Sequence, residues 1–424
     1  MYLVYSLIYS LGFLLMLPAF LLNRQKYASG FSQRLGNYPE FKHDDRKVIW
    51  LHCVSVGETN AARPLVDKLR EEFPDHRLVI STTTKTGQEL ANKIFFDKAD
   101  EIFYFPFDWK FSVRHALANY KPSLVLLMET EIWPRFIHEA KVSGAKIAIV
   151  NGRLSAKSFR RYSHVRVFVK TVLADIDLAL MQGEADAERL TMLGIDRNKI
   201  TVTGNLKFDF TQEAAAQYVT ESFRRRFGIP SEPLFIVAAS THDNEEQLLL
   251  DALGMAGGDY RLLIAPRHPE RFDEVARILG PDGVRWSQSE LDRDRFAQFI
   301  LLDTIGDLRN LFELADIVFV GGSLIPHGGQ SVLEPAAAGR AIVTGPYTFN
   351  FESIISDFRE SDALIQLPET SEREIVMELY NALVKLILDS SRRDQLGRNA
   401  RAVIDASRGA TRKTVDIISD FVAS

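Results

Sequence analysis

Short apolar runs alternate with amphipathic stretches along almost the whole chain. Val48–Cys53, Arg77–Thr82, Glu101–Phe105, Ser123–Met128 and Ala145–Val150 are bounded by polar turns and read as strands. Leu178–Met181 and Ile200–Thr203 read as the last strands of this half. Helical patterns such as Ala61–Glu72 and Gly87–Lys98 lie between them. The second half repeats the alternation with "LFIVAAS", "YRLLIAP", "QFILLD", "ADIVFVGG" and "AIVTG". Strands that alternate with helices predict parallel α/β sheets. Two such series predict two Rossmann-like, doubly wound domains facing a cleft. The stretch "GNLKFDFTQEAAAQ" separates them, with a boundary near Asn205. The expected domains are therefore 25–205 and 206–424, with the last helical stretch, Arg412–Val422, able to pack on either. Sheets of this kind bind ligands outside the carboxyl ends of their strands.

The first residues break the pattern. "MYLVYSLIYSLGFLLMLPAFLL" carries no charge through Leu22. As a helix it would reach roughly 33 Å, about the depth of a bilayer core. A cleaved leader would begin with basic residues, and this one does not. Arg24, Lys26 and Arg34 follow the run, and positive residues stay on the cytoplasmic side. Residues 1–24 are expected to be an uncleaved membrane anchor. Pro18 leaves a spanning and a partly inserted helix both open, and a buried apolar helix is the alternative.

Composition adds exclusions. A chain of 424 residues exceeds a single core, so two domains are the default. The net charge of −5 rules out general polyanion binding and leaves any basic function local. Cys53 is the sole cysteine, so no intrachain disulfide forms. The nine histidines are scattered, with neither CxxC nor HExxH, so no metal site is expected. No glycine precedes a lysine, which excludes a P-loop.

Candidate chemistry falls at strand ends. "VSVGET" follows the first strand and places Gly57 and Glu58 at a helix start. Gly57 gives the backbone room. Glu58 is either a base or a carboxylate favoured there by the helix dipole, which would lower its pKa. "VLLMETEIWP" places Glu129 and Glu131 after another strand. If those two strands are neighbours, Glu58 and Glu129 face one cleft. Glu131 and Trp133 read as a helix start and a packed aromatic. In the second half, "VAASTHDNEEQ" puts Ser240 and Thr241 before an acidic helix, as caps or as part of an anion site. "LLIAPRHPERF" puts Arg267 and His268 after a strand. Arg267 suits an oxyanion, or pairs with Glu270. "VFVGGSLIPHGGQSVLEPAAAG" supplies Gly321, Gly322, Gly328 and Gly329, then Gln330 and Ser331 at an expected helix start. Glu334 falls in the first turn, as an acceptor for ribose hydroxyls. Together these suggest nucleotide-sugar binding. "NGRLSAKSFRRYSHVRVFVK" is locally basic, with Arg153, Arg160 and Arg161 among its cations. Beside an apolar anchor it suits an anionic lipid surface. A solvated helix face or an RNA contact are the alternatives.

These stretches resemble bacterial 3-deoxy-D-manno-octulosonic acid (Kdo) transferases of lipopolysaccharide synthesis. The resemblance runs through "WLHCVSVGET", "METEIWP", "NGRLS", "GNLKFD", "AASTHDNEE", "PRHPERF", "FVGGSL", "LEPAAAG" and "GPYTFNF". It implies a GT-B fold, CMP-Kdo as donor, and a lipid A precursor (lipid IVA) as acceptor. It implies inversion without a required metal or cofactor, and an inner-membrane protein whose body is cytoplasmic. Glu58 matches the family's general base and Glu129 a second acidic residue. Arg267, the 321–322 and 328–331 segments, and Glu334 match the CMP-binding region. Gly57, Ser240, Thr241 and His268 stand beside them as donor-site candidates. Lys207 is the candidate for the Kdo carboxylate, and Arg153, Arg160 and Arg161 stand with it on the acceptor and membrane side. Gln330-Ser331 replaces the His-Asn common in the family, which bears on side-chain contacts there. The rivals are a UDP-sugar transferase of the same fold and a non-catalytic nucleotide-sugar receptor.

Overall fold

Two parallel sheets, each of seven strands, carry the fold. The computed structural model describes residues 1–22, 29–209, 217–229 and 234–423, and Arg24 and Lys26 lie outside them. The chain divides into two compact units, Met1–Thr211 with Ser407–Ser424, and Gln212–Ala406. The C-terminal stretch thus returns to the first unit. Its helix Ala410–Ala423 places Val415 and Ile418 in the same core as Leu65 and Leu69.

In the first unit the strands are β1 (Val48–Cys53), β2 (Arg77–Thr82), β3 (Glu101–Tyr104), β4 (Pro122–Met128), β5 (Lys146–Gly152), β6 (Leu178–Met181) and β7 (Ile200–Val202). They lie in the order β3-β2-β1-β4-β5-β6-β7. This is the doubly wound order, and its direction reverses between β1 and β4. Every residue of β1 is buried. Val48 and Trp50 enter one core with Phe103 and Phe136, whereas Ile49, Leu51 and Cys53 enter another with Leu65 and Ile80. Burial on both faces is why this strand reads as a continuous apolar run. Trp50 satisfies its indole N–H on Ser81 Oγ at 2.7 Å. The single helix read over Ala61–Glu72 is two, Val56–Ala61 and Arg63–Glu72. The break precedes Pro64, which has no N–H to continue the first helix.

The second unit holds β8 (Leu234–Thr241), β9 (Tyr260–Pro266), β10 (Gly283–Arg285), β11 (Phe299–Leu301), β12 (Ile317–Val320), β13 (Ala341–Thr344) and β14 (Ile365–Gln366). Their order is β10-β11-β9-β8-β12-β13-β14, reversing between β8 and β12. The sequence pattern did not show β10 and β14. Both are short edge strands whose residues are only half-buried, so neither leaves an apolar run.

Among the described residues no helix is long and apolar enough to cross a membrane. The N-terminal helix Tyr2–Leu22 lies within the stretch 1–24 expected to be an anchor. A seam of Tyr, Ser and Phe on it packs on the first unit. Tyr5 donates to Asp108 Oδ2 at 2.6 Å, and Trp109 Nε1 donates to Ser10 Oγ at 2.9 Å. Arg135 donates to Tyr2 O at 2.9 Å and Ser6 Oγ at 3.0 Å. Tyr2 stacks on His138, and Phe13 meets Phe107 and Trp109 edge-on. The opposite face leaves Leu3, Val4, Leu7, Ile8, Leu11, Leu14, Leu15 and Met16 exposed, Leu3 by 85%. A helix folded only for water would turn those aliphatic residues inward.

Asp108 joins this helix to the next layer. It is fully buried and accepts from Arg135 N at 2.9 Å and Phe136 N at 2.7 Å, as well as from Tyr5. It thereby caps the helix Pro134–Val142 from a distant part of the chain. Asp108→Ala strands two buried N–H groups and a phenol, and should cost about 2–3 kcal/mol. Urea unfolding of the full chain checks this. An unchanged midpoint would show that the cap is dispensable.

Candidate active site

Glu58 lies just past the end of β1, where the first sheet reverses. Ser55 caps the helix Val56–Ala61, and Glu58 is its third residue. The carboxylate reaches back to accept from Val54 N at 2.8 Å and Ser55 Oγ at 2.9 Å, a variant of the capping box. Only 6% of Glu58 is exposed. Burial pushes its pKa up to about 8, Glu129 and Glu131 push the same way, and the Val54 and Ser55 hydrogen bonds oppose them. Burial therefore outweighs the lowering expected from the helix dipole. Six residues of helix beside two carboxylates do not outweigh the loss of water. Gly57 is exposed, and a Cβ there would approach nothing nearer than Ser55 Oγ at 3.8 Å, so no close backbone approach requires glycine.

β1 pairs with β4, so the residues that follow them are neighbours. Glu129 comes directly after β4 with φ at 55°, a left-handed conformation that few non-glycine residues adopt. Its N–H is held by Val150 O at 2.9 Å, and its carboxylate pairs with Lys207 Nζ at 3.2 Å. Glu131 was read as part of a helix start. The structure adds it to the acidic group: burial and then Glu129 raise its pKa. Cys53 reports the same cluster from below, its thiol raised by burial, Glu58 and Glu129 in turn. Trp133 packs against Phe105 and the core, as expected.

Lys207 reaches Glu129 through contacts between separate motifs. Asn151, left-handed at φ 54°, accepts from Leu206 N at 3.0 Å through its Oδ1. That bond fixes the turn Leu206–Asp209 on which Lys207 stands. Arg153 N donates to Thr130 Oγ1 at 3.0 Å, joining the basic stretch to the Glu129–Glu131 segment. Arg160 and Arg161 stand exposed on the helix Ala156–His164, which buries no residue.

In the second unit, β8 and β12 are adjacent. Ser240 is left-handed at φ 53° where the register of β8 shifts against β9. Neither Ser240 nor Thr241 caps the following helix Glu245–Ala256, whose N-cap is Asn244. Thr241 Oγ1 donates instead to Glu246 Oε1 at 2.7 Å. Glu245 is fully buried and accepts from His242 N, Gly322 N, Ser323 N and Leu324 N at 2.9, 2.7, 2.9 and 2.8 Å. The N–H groups of Gly322, Ser323 and Leu324 are therefore taken by the protein's own carboxylate. Gly321 gives its N–H to Ala239 O. A Cβ on Gly321 would meet Ser240 O and Thr241 Cα at 2.7 Å, so only glycine fits between the strand ends.

Arg267 is exposed, and its guanidinium makes no ion pair among the described residues. Glu270, its expected partner, lies instead 3.8 Å from His268 Nδ1. Arg271 clamps Glu246 Oε1 at 2.7 Å and Oε2 at 3.2 Å. Gly329 is left-handed, with its N–H on Gly322 O at 2.7 Å. The helix expected to start at Gln330 and Ser331 begins later, at Leu333–Ala337, with Glu334 exposed in its first turn. Ser331 Oγ accepts from Leu333 N at 3.3 Å, and Gln330 Nε2 lies 3.2 Å from His242 Nε2. His242 and His327 were not singled out from the sequence. Their rings lie 4.2 Å apart, and those of His242 and His268 are 5.2 Å apart. Spacing along the chain gives no sign of this, because the three loops meet only when β9, β8 and β12 align.

Comparison with known proteins agrees with the architecture. A family model described as 3-deoxy-D-manno-octulosonic-acid transferase (kdotransferase) matches residues 29–210. A 3-deoxy-D-manno-octulosonic acid transferase of Haemophilus influenzae is 32% identical over 403 residues, covering 94% of this chain and 92% of its own. One of Bordetella pertussis is 32% identical over 88% of this chain and 87% of its own. Among solved structures, a glycosyltransferase from Rickettsia africae superposes with a TM-score of 0.58 at 14% identity, over 90% of this chain and all of that one (100%). UDP-GlcNAc 2-epimerase from Neisseria meningitidis gives 0.58 at 12% identity, over 87% of this chain and 100% of that one. At such identities these likenesses bear on the fold alone, an α/β GT-B architecture. Near full-length similarity at 32% identity to curated enzymes carries more: the chain belongs to the family of 3-deoxy-D-manno-octulosonic acid (Kdo) transferases, glycosyltransferases of lipopolysaccharide biosynthesis.

Proposed function

We propose that this Kdo transferase takes CMP-Kdo as donor and a lipid A precursor such as lipid IVA as acceptor, with inversion at the anomeric carbon and Glu58 as general base. The observation that carries the base assignment is a buried carboxylate at the switch point of the first sheet, with its pKa pushed up to about 8. A base works best when its pKa lies near the working pH. Glu58 takes the proton from an acceptor hydroxyl. The hydroxyl oxygen forms the new bond to the anomeric carbon, and the bond to the CMP oxygen breaks. CMP leaves with the electron pair. The exposed guanidinium of Arg267, without an ion pair among the described residues, is suited to the charge that grows on the departing phosphate. Lys207 holds Glu129, so its task in this reading is to balance the acidic cluster rather than to wait for the Kdo carboxylate.

The membrane contact belongs to the same proposal. The aliphatic face of Tyr2–Leu22 is a contiguous apolar surface, and such surfaces mark interaction sites. Phe168, on the helix Arg166–Leu173, packs against Tyr2 and Tyr5. The basic stretch with Arg160 and Arg161 therefore continues from that surface, with Val165 and Val167 exposed between them. An apolar face beside cations suits the anionic cytoplasmic leaflet of the inner membrane. We propose a helix that lies in the interface rather than one that spans it.

Four outcomes are expected. Glu58→Gln should keep CMP binding and lose at least about 100-fold in Kdo transfer; transfer within about threefold of the parent would remove Glu58 as base. Only the deprotonated carboxylate accepts a proton, so kcat/KM should rise with pH and level off above about 8, the pKa of Glu58. In Glu129→Gln, which removes a raising charge, the midpoint should fall; a midpoint that stays fixed would break the assigned coupling. Arg267→Ala should slow transfer about tenfold or more at low CMP-Kdo, the scale of a lost charged hydrogen bond, and an unchanged rate would place the arginine outside the donor site. Finally, replacing exposed Leu7, Leu11 and Leu15 together by Glu should release the protein from vesicles containing anionic lipid in a flotation assay. Retention on the vesicles would count against the interfacial helix.

A further inference from the structure

Three imidazoles converge where the second sheet reverses. His242 follows β8 directly, His268 lies just past β9, and His327 stands in the loop after β12. These strands are neighbours, in the order β9-β8-β12. Their side chains meet because the three loops leave the same edge of the sheet together. One nitrogen from each ring lies within 4.8 Å of the other two.

We propose that His242, His268 and His327 form a binding site for a divalent transition-metal ion of the zinc class. The proposal goes beyond the transfer reaction and does not depend on the donor or acceptor named for it. Imidazole is the preferred ligand of zinc, cobalt, nickel and copper, whereas magnesium and calcium take oxygen. A tetrahedral ion with bonds of about 2.1 Å spaces its ligand nitrogens roughly 3.4 Å apart. His268 and His327 are exposed, so small side-chain rotations bring them to that spacing around the buried His242. A fourth position would face solvent.

The surroundings suit ligation. His242 is 5% exposed, so its ring is held by the surrounding protein rather than by water. Gln330 faces His242 Nε2 at 3.2 Å, and Glu270 lies 3.8 Å from His268 Nδ1. Neighbours of this kind orient a ligating ring and fix its tautomer. The nearby cations are Arg267 and Arg271. The charge of Arg271 is already balanced by Glu246 and Glu274, which leaves Arg267 as the main opposing charge.

Cobalt(II) is the probe, because a four-coordinate site gives it a strong visible d–d band. The full chain without a histidine tag is titrated near neutral pH. The expected result is such a band, saturating at one equivalent and displaced by zinc. His327→Ala and His268→Ala alter exposed side chains, and thermal melting confirms that each variant folds. Each should lose the band and bind cobalt at least about tenfold more weakly, the lower end for loss of a metal-site partner. No band at one equivalent, or a band retained in either variant, would overturn the site.

Discussion

The Glu245 carboxylate accepts N–H groups from four residues in two loops, and the second unit is organised around that one buried acceptor. Where β8 and β12 part, the chains leave in different directions and their terminal N–H groups lose ladder partners. Buried N–H groups left without partners are costly, so something must reach into the gap. Glu245 enters from the first turn of the next helix and collects them. Burial raises its pKa, and the N–H groups pull against that rise. Once they are held, other contacts follow. Ser323 donates its hydroxyl to Val320 O at 2.6 Å and accepts Gly345 N at 2.8 Å, which seats the loop after β13. Asn350 N then reaches Gly328 O at 3.0 Å, closing the glycine pair onto the same edge.

The first unit meets the same problem with the same residue type, and the two differ in detail. Glu58 also comes from the first turn after the first strand of its sheet, and also reaches back to a backbone N–H. It collects only Val54 N and a hydroxyl. Its neighbours Glu129 and Glu131 add negative charge rather than donors. Glu245 is surrounded by fixed dipoles that favour the anion, whereas Glu58 has few, and burial pushes its pKa up to about 8. Lys207 gives the cluster one nearby cation, paired with Glu129. Glu58 and Glu131 are the raised carboxyls of the group.

Much of this arrangement was legible in the sequence, and the reasons for the rest are physical. Continuous apolar runs marked the inner strands because both their faces are buried, as for β1. The short edge strands β10 and β14 bury little and left no pattern. Glu58 and Glu129 were visible as acidic residues after strands, and the pairing of β1 with β4 makes them neighbours. The sign of the Glu58 shift was not visible, because a helix start argues for a low pKa and only the enclosing residues reveal the burial. The joining of "NGRLS" to "GNLKFD" through Asn151 and Leu206 is likewise a long-range contact with no local signature. The three histidines belong to the same class: each stands alone in its own loop, and only strand order unites them.

The N-terminal helix shows what hydropathy alone leaves out of a segment. Counted as a string, residues 1–22 are uncharged throughout and read as a membrane anchor, spanning or partly inserted. Placed on a helix, they sort into two faces of different chemistry. Tyr2, Tyr5, Tyr9 and Phe13 recur at helical spacing, with Ser6 and Ser10 among them, and this face docks on Asp108, Trp109, Arg135 and His138. Aromatic rings with a polar tip suit a seam that must both pack and satisfy buried polar groups. The aliphatic residues have no such partner and remain outside. A helix fixed to its own domain by hydrogen bonds would lose them on entering a bilayer core, where nothing replaces them. The same contacts hold the helix to its own domain, while its outer face leaves aliphatic side chains unpacked. Both demands fall on one helix, which is tied through Asp108 to the helix that follows Glu129 and Glu131.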